Sequence, residues 1–123
     1  LGGHVTVGDF ARIGAFTGVH QFCRIGRHCM IGGYCVITQD VAPYSLSSTE
    51  REVKGYGTNK VGLERRGFPA ATIQALHKTF RLLGSKDLNT RQAIEKIRAE
   101  VDPEPEVAEV IAFFESSERG VVK

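Results

Sequence analysis

The chain has 123 residues, a formal net charge of +2 and 41% apolar residues, enough for one ordinary domain or two small ones. Near charge balance excludes the broad basic field that draws nucleic acid. No apolar run approaches the roughly 20 residues of a membrane span, and no charged-then-apolar leader opens the sequence.

The first third is periodic. Leu1, Val7, Ile13, Val19, Ile25, Ile31 and Ile37 stand six apart, and glycine follows five of them: Gly2, Gly8, Gly14, Gly26 and Gly32. The fifth place of each hexad is small or β-branched: Val5, Ala11, Thr17, Cys23, Cys29, Cys35 and Val41. A period of six is neither helical nor simply alternating. It predicts short strands joined by corners, three strands to a triangular coil of about eighteen residues. The aliphatic side chain fills the interior, the small residue fits where the interior narrows, and glycine is expected to relax the backbone at the bend. Leu1 to about Val41 makes about two coils, and a coil buries its faces only against stacked neighbours. The expectation is therefore the C-terminal part of a longer parallel β-helix, with part of any active site upstream. Cys23, Cys29 and Cys35 follow the repeat rather than a metal or disulfide spacing, so they are read as packed, reduced thiols of a cytoplasmic protein.

The hexads are expected to end at Asp40-Val41-Ala42-Pro43-Tyr44, where proline removes a ladder donor. Residues 45–68 then read as a long loop with room for a short strand pair. From Pro69 the period becomes helical. Ile73, Leu76, Phe80 and Leu83 form one stripe before Gly84. A second helix starts near Asn89, with Gln92 as its capping-box partner and Ile94, Ile97 and Val101 inward, and breaks at Asp102-Pro103. A third runs from Glu104 to about Ser117 with Val107, Val110, Ile111 and Phe114 inward. The division is thus a β-helix over 1–44, a loop over 45–68 and three helices over 69–123.

Four histidines are candidates for chemistry. His4 and His20 lie nearly one coil apart, and His20 replaces a corner glycine in Val19-His20-Gln21-Phe22; such imidazoles orient a hydroxyl or relay a proton, or simply decorate an exposed corner. His28 shares the fourth hexad place with His4, Phe10, Phe16, Phe22 and Tyr34 and reads as a surface ring facing a neighbouring subunit. His77 reads as structural. The histidines are too dispersed for a zinc site. Arg65-Arg66-Gly67-Phe68 places two guanidiniums before the helix at Pro69, suited to a diphosphate or to a solvated helix flank, with Asn59 upstream as a donor and acceptor for a base or sugar.

Gly3-His4-Val5, the block Val19 to Gly26, the run Gln39 to Tyr44, Gly62-Leu63-Glu64-Arg65-Arg66-Gly67-Phe68 and the tail ending Arg119-Gly120 together resemble the UDP-N-acetylglucosamine O-acyltransferases that begin lipid A synthesis. The resemblance spans nearly the whole chain. It implies a left-handed β-helix, a homotrimer with active sites between subunits, and acyl transfer from acyl carrier protein to the 3-hydroxyl of UDP-N-acetylglucosamine. It implies no metal and no resident cofactor. The family's general-base histidine would lie upstream of Leu1. By the same resemblance the Gly3 N–H would stabilise the oxyanion, His4, His20 and Gln21 would line the acyl and sugar sites, Gly33 would measure acyl length, and Asn59, Arg65 and Arg66 would hold the UDP portion. Two stretches depart from the family pattern: 47–56 lacks the usual Gly-Asn-His loop, and Val61 replaces a glutamate near the nucleotide. Gly33 leaves a tunnel open for a longer acyl chain. Two rival readings are a glucosamine N-acyltransferase of the hexapeptide type and a non-catalytic trimeric scaffold fragment.

Overall fold

The computed structural model describes residues 1–49 and 53–122. Six two-residue strands open the chain: β1 (Thr6–Val7), β2 (Arg12–Ile13), β3 (Gly18–Val19), β4 (Arg24–Ile25), β5 (Met30–Ile31) and β6 (Val36–Ile37). They pair in parallel as β1 with β4, β2 with β5 and β3 with β6. Thr6 faces Arg24, Arg12 faces Met30 and Gly18 faces Val36, a constant step of eighteen residues that makes each coil one turn of a triangular prism. Inside it Cys23, Ile25, Cys29, Ile31, Cys35, Ile37 and Val41 are sealed. All three cysteines are free thiols, and burial pushes that of Cys29 up to about 12.

The corners work differently from the expectation. The residues that bend the backbone with positive φ are not the glycines but the fourth-place residues His4, Phe10, Phe16, Phe22, His28 and Tyr34, all between 56° and 64°. An L-residue there is strained by about 1–2 kcal/mol. Ring contacts between successive coils offset part of that: His4 stacks on Phe22 at 5.3 Å, Phe10 on His28 at 4.9 Å and Phe16 on Tyr34 at 5.2 Å. The glycines instead make room for the next coil. A Cβ on Gly26 would lie 2.2 Å from the Pro43 nitrogen, and one on Gly8 would lie 2.5 Å from that of Arg27.

The prism does not stop at Pro43. Val41 bridges to Ile25, Tyr44 takes the same corner φ of 66°, and β7 (Ser45–Thr49) pairs in parallel with β5. Met30 faces Leu46, a step of sixteen, so the third coil is two residues short and its later positions fall out of the hexad count. Pro43 sits in a corner turn, where a missing N–H costs nothing. The segment 45–68 holds the short strand pair for which the sequence has room, and a helix besides. β8 (Val53–Thr58) returns antiparallel on β7, and α1 (Lys60–Arg65) follows, capped by the Asn59 side chain accepting from the Gly62 N–H. Residues 50–52 of the divergent stretch 47–56 lie outside the described residues.

Three further helices complete the chain: α2 (Ala70–Leu83), α3 (Thr90–Glu100) and α4 (Pro105–Ser116). Asn89 and Gln92 form the expected capping box, each side chain accepting from the other residue's N–H. The helices close over a second core built on Leu63, Leu76, Ile97 and Val110. Tyr44 joins the two bodies. Its ring is buried in the helical core, and its hydroxyl donates to Glu109 of α4 at 2.7 Å while accepting from Arg27 at 2.6 Å. Among the described residues no helix is long and apolar enough to cross a membrane.

Candidate functional site

The candidate residues fall on three different corners of the prism. One corner carries Gly3 and His4 in one coil with His20 and Gln21 directly above them in the next. The Phe22 N–H donates to the Gly3 carbonyl at 3.1 Å, and a Cβ on Gly2 would lie 2.6 Å from the Gln21 nitrogen. His4, His20 and Gln21 are all exposed. The Gly3 N–H has no hydrogen-bond acceptor among the described residues, and a Cβ built on Gly3 would meet open space. The corner thus presents the Gly3 amide donor, two imidazoles and a carboxamide to solvent. His20 carries one tie to the far end of the chain, with Arg119 Nη2 lying 3.2 Å from its Nδ1.

A second corner stacks Phe10, His28 and Tyr44, and Phe10 and His28 form the floor of a cavity of about 340 Å³. Arg12, Lys60, Arg65 and Arg66 line it, with Thr58, Asn59, Met30, Leu46 and Val61, and among the described residues no carboxylate does so. Arg66 caps α1 and lays its guanidinium 4.1 Å over the Phe10 ring. The arginine pair therefore closes a helix C-terminus rather than only preceding α2. Phe68 N–H donates to Leu63 O and Gly67 N–H to Glu64 O, a Schellman ending with Gly67 at φ +79°. Arg65, in the last turn, answers the negative end of the α1 dipole and leaves its guanidinium to solvent.

Asn59 is placed differently from its expected role. Its Nδ2 donates to the His28 carbonyl at 3.0 Å and its Oδ1 accepts from Gly62, so the side chain pins α1 to the prism. His28 is also corrected. It is 7% exposed, stacked on Phe10 and Tyr44 with the edge of Phe68 against it, not a free surface ring. Burial first, then the charges of Arg27 and Arg66, lower its pKa and keep it neutral near pH 7. Sequence reasoning missed Arg12, Lys60 and Thr58. Arg12 is an ordinary outward hexad residue until β8 and α1 fold beside it. Thr58 Oγ1 is buried without a partner among the described residues.

The third corner holds Gly33, stacked above the Gly14-Ala15 turn, where a Cβ would lie 3.2 Å from the Ala15 carbonyl oxygen. Exposed Phe16 and Tyr34 flank it, and Val36 stands exposed on the adjoining strand. His77 lies exposed on α2, away from all three corners. Among the described residues no group of three histidine, cysteine or carboxylate side chains is placed to hold a metal ion.

An eighteen-residue parallel coil, a helical cap and polar sites at the corners define a hexapeptide-repeat protein of the bacterial transferase class. Residues 4–39 match the family model described as bacterial transferase hexapeptide (six repeats). Residues 40–122 match the model described as UDP N-acetylglucosamine O-acyltransferase, domain 2, and the chain belongs to that family. The prism is the family's left-handed β-helix, against the usual right-handed crossover.

The acyl-(acyl-carrier-protein):UDP-N-acetylglucosamine O-acyltransferase of Thermodesulfovibrio yellowstonii is 50% identical over 123 residues, 100% of this chain and 47% of that protein. The enzyme of the same name from Syntrophobacter fumaroxidans is 47% identical over 87 residues, 71% of this chain and 34% of that protein. The crystal structure of a UDP-N-acetylglucosamine acyltransferase from Bacteroides fragilis superposes with a TM-score of 0.93 at 35% identity, covering 100% of this chain and 50% of that one. The chain thus spans about half the length of the full-length relatives it matches along its entire extent.

Proposed function

We propose that this chain supplies the C-terminal half of an acyltransferase that moves a 3-hydroxyacyl group from acyl carrier protein to the 3-hydroxyl of UDP-N-acetylglucosamine, opening lipid A synthesis. The observation that carries the reading is the cavity beside α1, where four cations and, among the described residues, no carboxylate face an aromatic floor, as a nucleoside diphosphate requires. Arg65 and Arg66 hold the diphosphate. Asn59 keeps α1 in place beneath them, and Lys60 adds a further positive charge beside the diphosphate. The first corner receives the sugar and the acyl carbonyl. The 3-hydroxyl oxygen attacks the thioester carbon, a histidine upstream of Leu1 takes its proton, and the Gly3 N–H steadies the oxyanion. The C–S bond then breaks as the ester forms, and the proton passes to the departing phosphopantetheine thiol. No resident cofactor is needed, because phosphopantetheine arrives with the acyl carrier.

The three corners do not converge within one chain, and a homotrimer would bring corners of neighbouring copies together. The exposed row of Phe16, Tyr34 and Val36 supports such packing. In that assembly Gly33 borders the acyl tunnel. Three free thiols suit a reducing, cytoplasmic setting.

The test uses the complete gene product that carries this chain, with acyl-ACP and UDP-N-acetylglucosamine. Formation of the 3-O-acyl sugar nucleotide supports the reading, and its absence under conditions where the protein is folded overturns it. Arg65→Ala should raise the KM for the sugar nucleotide about tenfold with little change in kcat, and an unchanged KM returns Arg65 to a solvated helix flank.

A further inference from the structure

Beyond α4 the chain folds back onto the prism. The Asp40 N–H donates to the Gly120 carbonyl and the Val122 N–H to the Asp40 carbonyl, both at 2.9 Å, so Val121 forms a parallel bridge with Asp40. Ser117 Oγ donates to Asp40 Oδ2 at 2.7 Å. Gly120 turns at φ +80°, and a Cβ there would lie 2.8 Å from Gln39 Nε2. These contacts fix the backbone on both sides of Arg119. Its side chain crosses the corner, where Nε donates to the Thr38 carbonyl at 3.2 Å and Nη2 meets His20 Nδ1 at 3.2 Å.

A guanidinium has donors and no acceptor. His20 Nδ1 must therefore present its lone pair to Arg119, and the proton of the neutral ring sits on Nε2. The other tautomer would aim Nδ1–H at the Gln21 carbonyl, a longer 3.4 Å contact, while setting two N–H groups against each other at Arg119. We propose that Arg119 is a positioning residue that fixes His20 as the Nε2–H tautomer, so that the ring offers the acceptor sugar a hydrogen-bond donor. The inference rests on the reading that the first corner holds the sugar. A backbone-anchored arginine on one face of the ring also limits its rotation, lowering the entropy lost when substrate binds.

The test is made on the complete gene product with its histidine rings labelled in nitrogen-15. In the unaltered protein the signals of the neutral His20 ring, assigned by their loss in His20→Ala, should show a protonated Nε2 and an unprotonated Nδ1. Arg119→Met should convert them to a tautomer mixture and raise the KM for UDP-N-acetylglucosamine about fivefold with kcat within about twofold, as loss of one preorganised hydrogen bond predicts. His20→Ala should raise KM at least as much, and adding Arg119→Met to it should change nothing further. If Arg119→Met does not fold, Arg119→Lys, which keeps the charge but cannot reach both Thr38 and the ring, carries the same measurements. Unchanged ring signals and KM in the arginine variant, beside an impaired His20→Ala, would overturn the inference and leave the site reading intact. An unimpaired His20→Ala would overturn the site reading itself, and the inference with it.

Discussion

At the corner glycines and the fourth-place rings, single residues decide whether coils can stack. Gly26 lacks a side chain because the Pro43 backbone occupies that space, whereas Gly18 has nothing within 4 Å of its missing Cβ. Gly26→Ala should therefore destabilise the protein by about 3 kcal/mol or prevent folding, while Gly18→Ala should stay within about 0.5 kcal/mol, as denaturant titration would show. His28 gives a pH-dependent counterpart. Its folded pKa lies below the ordinary value of 6.5, so as pH falls through that value the unfolded chain takes up the proton first. Stability from the neutral ring is present above about pH 6.5 and is lost on acidification. His28→Phe should flatten the fall in melting temperature between about pH 7 and pH 5, and an unchanged slope would assign the acid sensitivity to other groups. The exposed-ring expectation for His28 failed because the hexad alone cannot say which corner another element covers.

At the level of elements, the helices are self-describing and the third coil is not. α2, α3 and α4 stop within a residue or two of the expected positions, because stripe, capping box and breaker are all local signals. β7 has none: its Ser-rich sequence becomes a strand through pairing with β5, sixteen residues from the register partner instead of eighteen. The tail is held to this coil chiefly by Asp40, nearly buried, which accepts from the Arg24 N–H at 2.8 Å, from Arg24 Nε at 3.2 Å and from Ser117 Oγ. Asp40→Ala leaves those donors without a partner and should cost about 3 kcal/mol. Protease cleavage within residues 117–122 should appear in this variant well before the helices unfold. Equal resistance of both proteins would show that the β-bridge at Val121 suffices.

For the molecule as a whole, the distribution of candidate groups over three corners makes assembly the deciding variable. Phe16 and Tyr34 are 81% and 74% exposed, and Val36 is 70% exposed, more apolar surface on one edge than an isolated prism favours. In the proposed homotrimer, Val36→Glu should lower the mass in solution of the complete gene product from trimer toward monomer, with loss of the proposed acyl transfer but retention of helical circular dichroism. A trimer of unchanged stability would place the interface on another face.

The hexad alone determined the parallel prism, its buried cysteines and its eighteen-residue coil, because a repeat writes each interior position into every sixth residue. Local capping likewise determined three of the four helices. The motif residues named the corners worth inspecting. Only tertiary structure decided what each does there: Asn59 is spent on pinning α1, Arg12 and Thr58 join the cationic cavity, and Arg119 reaches His20 across 99 residues of sequence. Those contacts arise where the chain leaves its period, shortens a coil and folds back on itself, and such long-range placement leaves no spacing in the sequence to read.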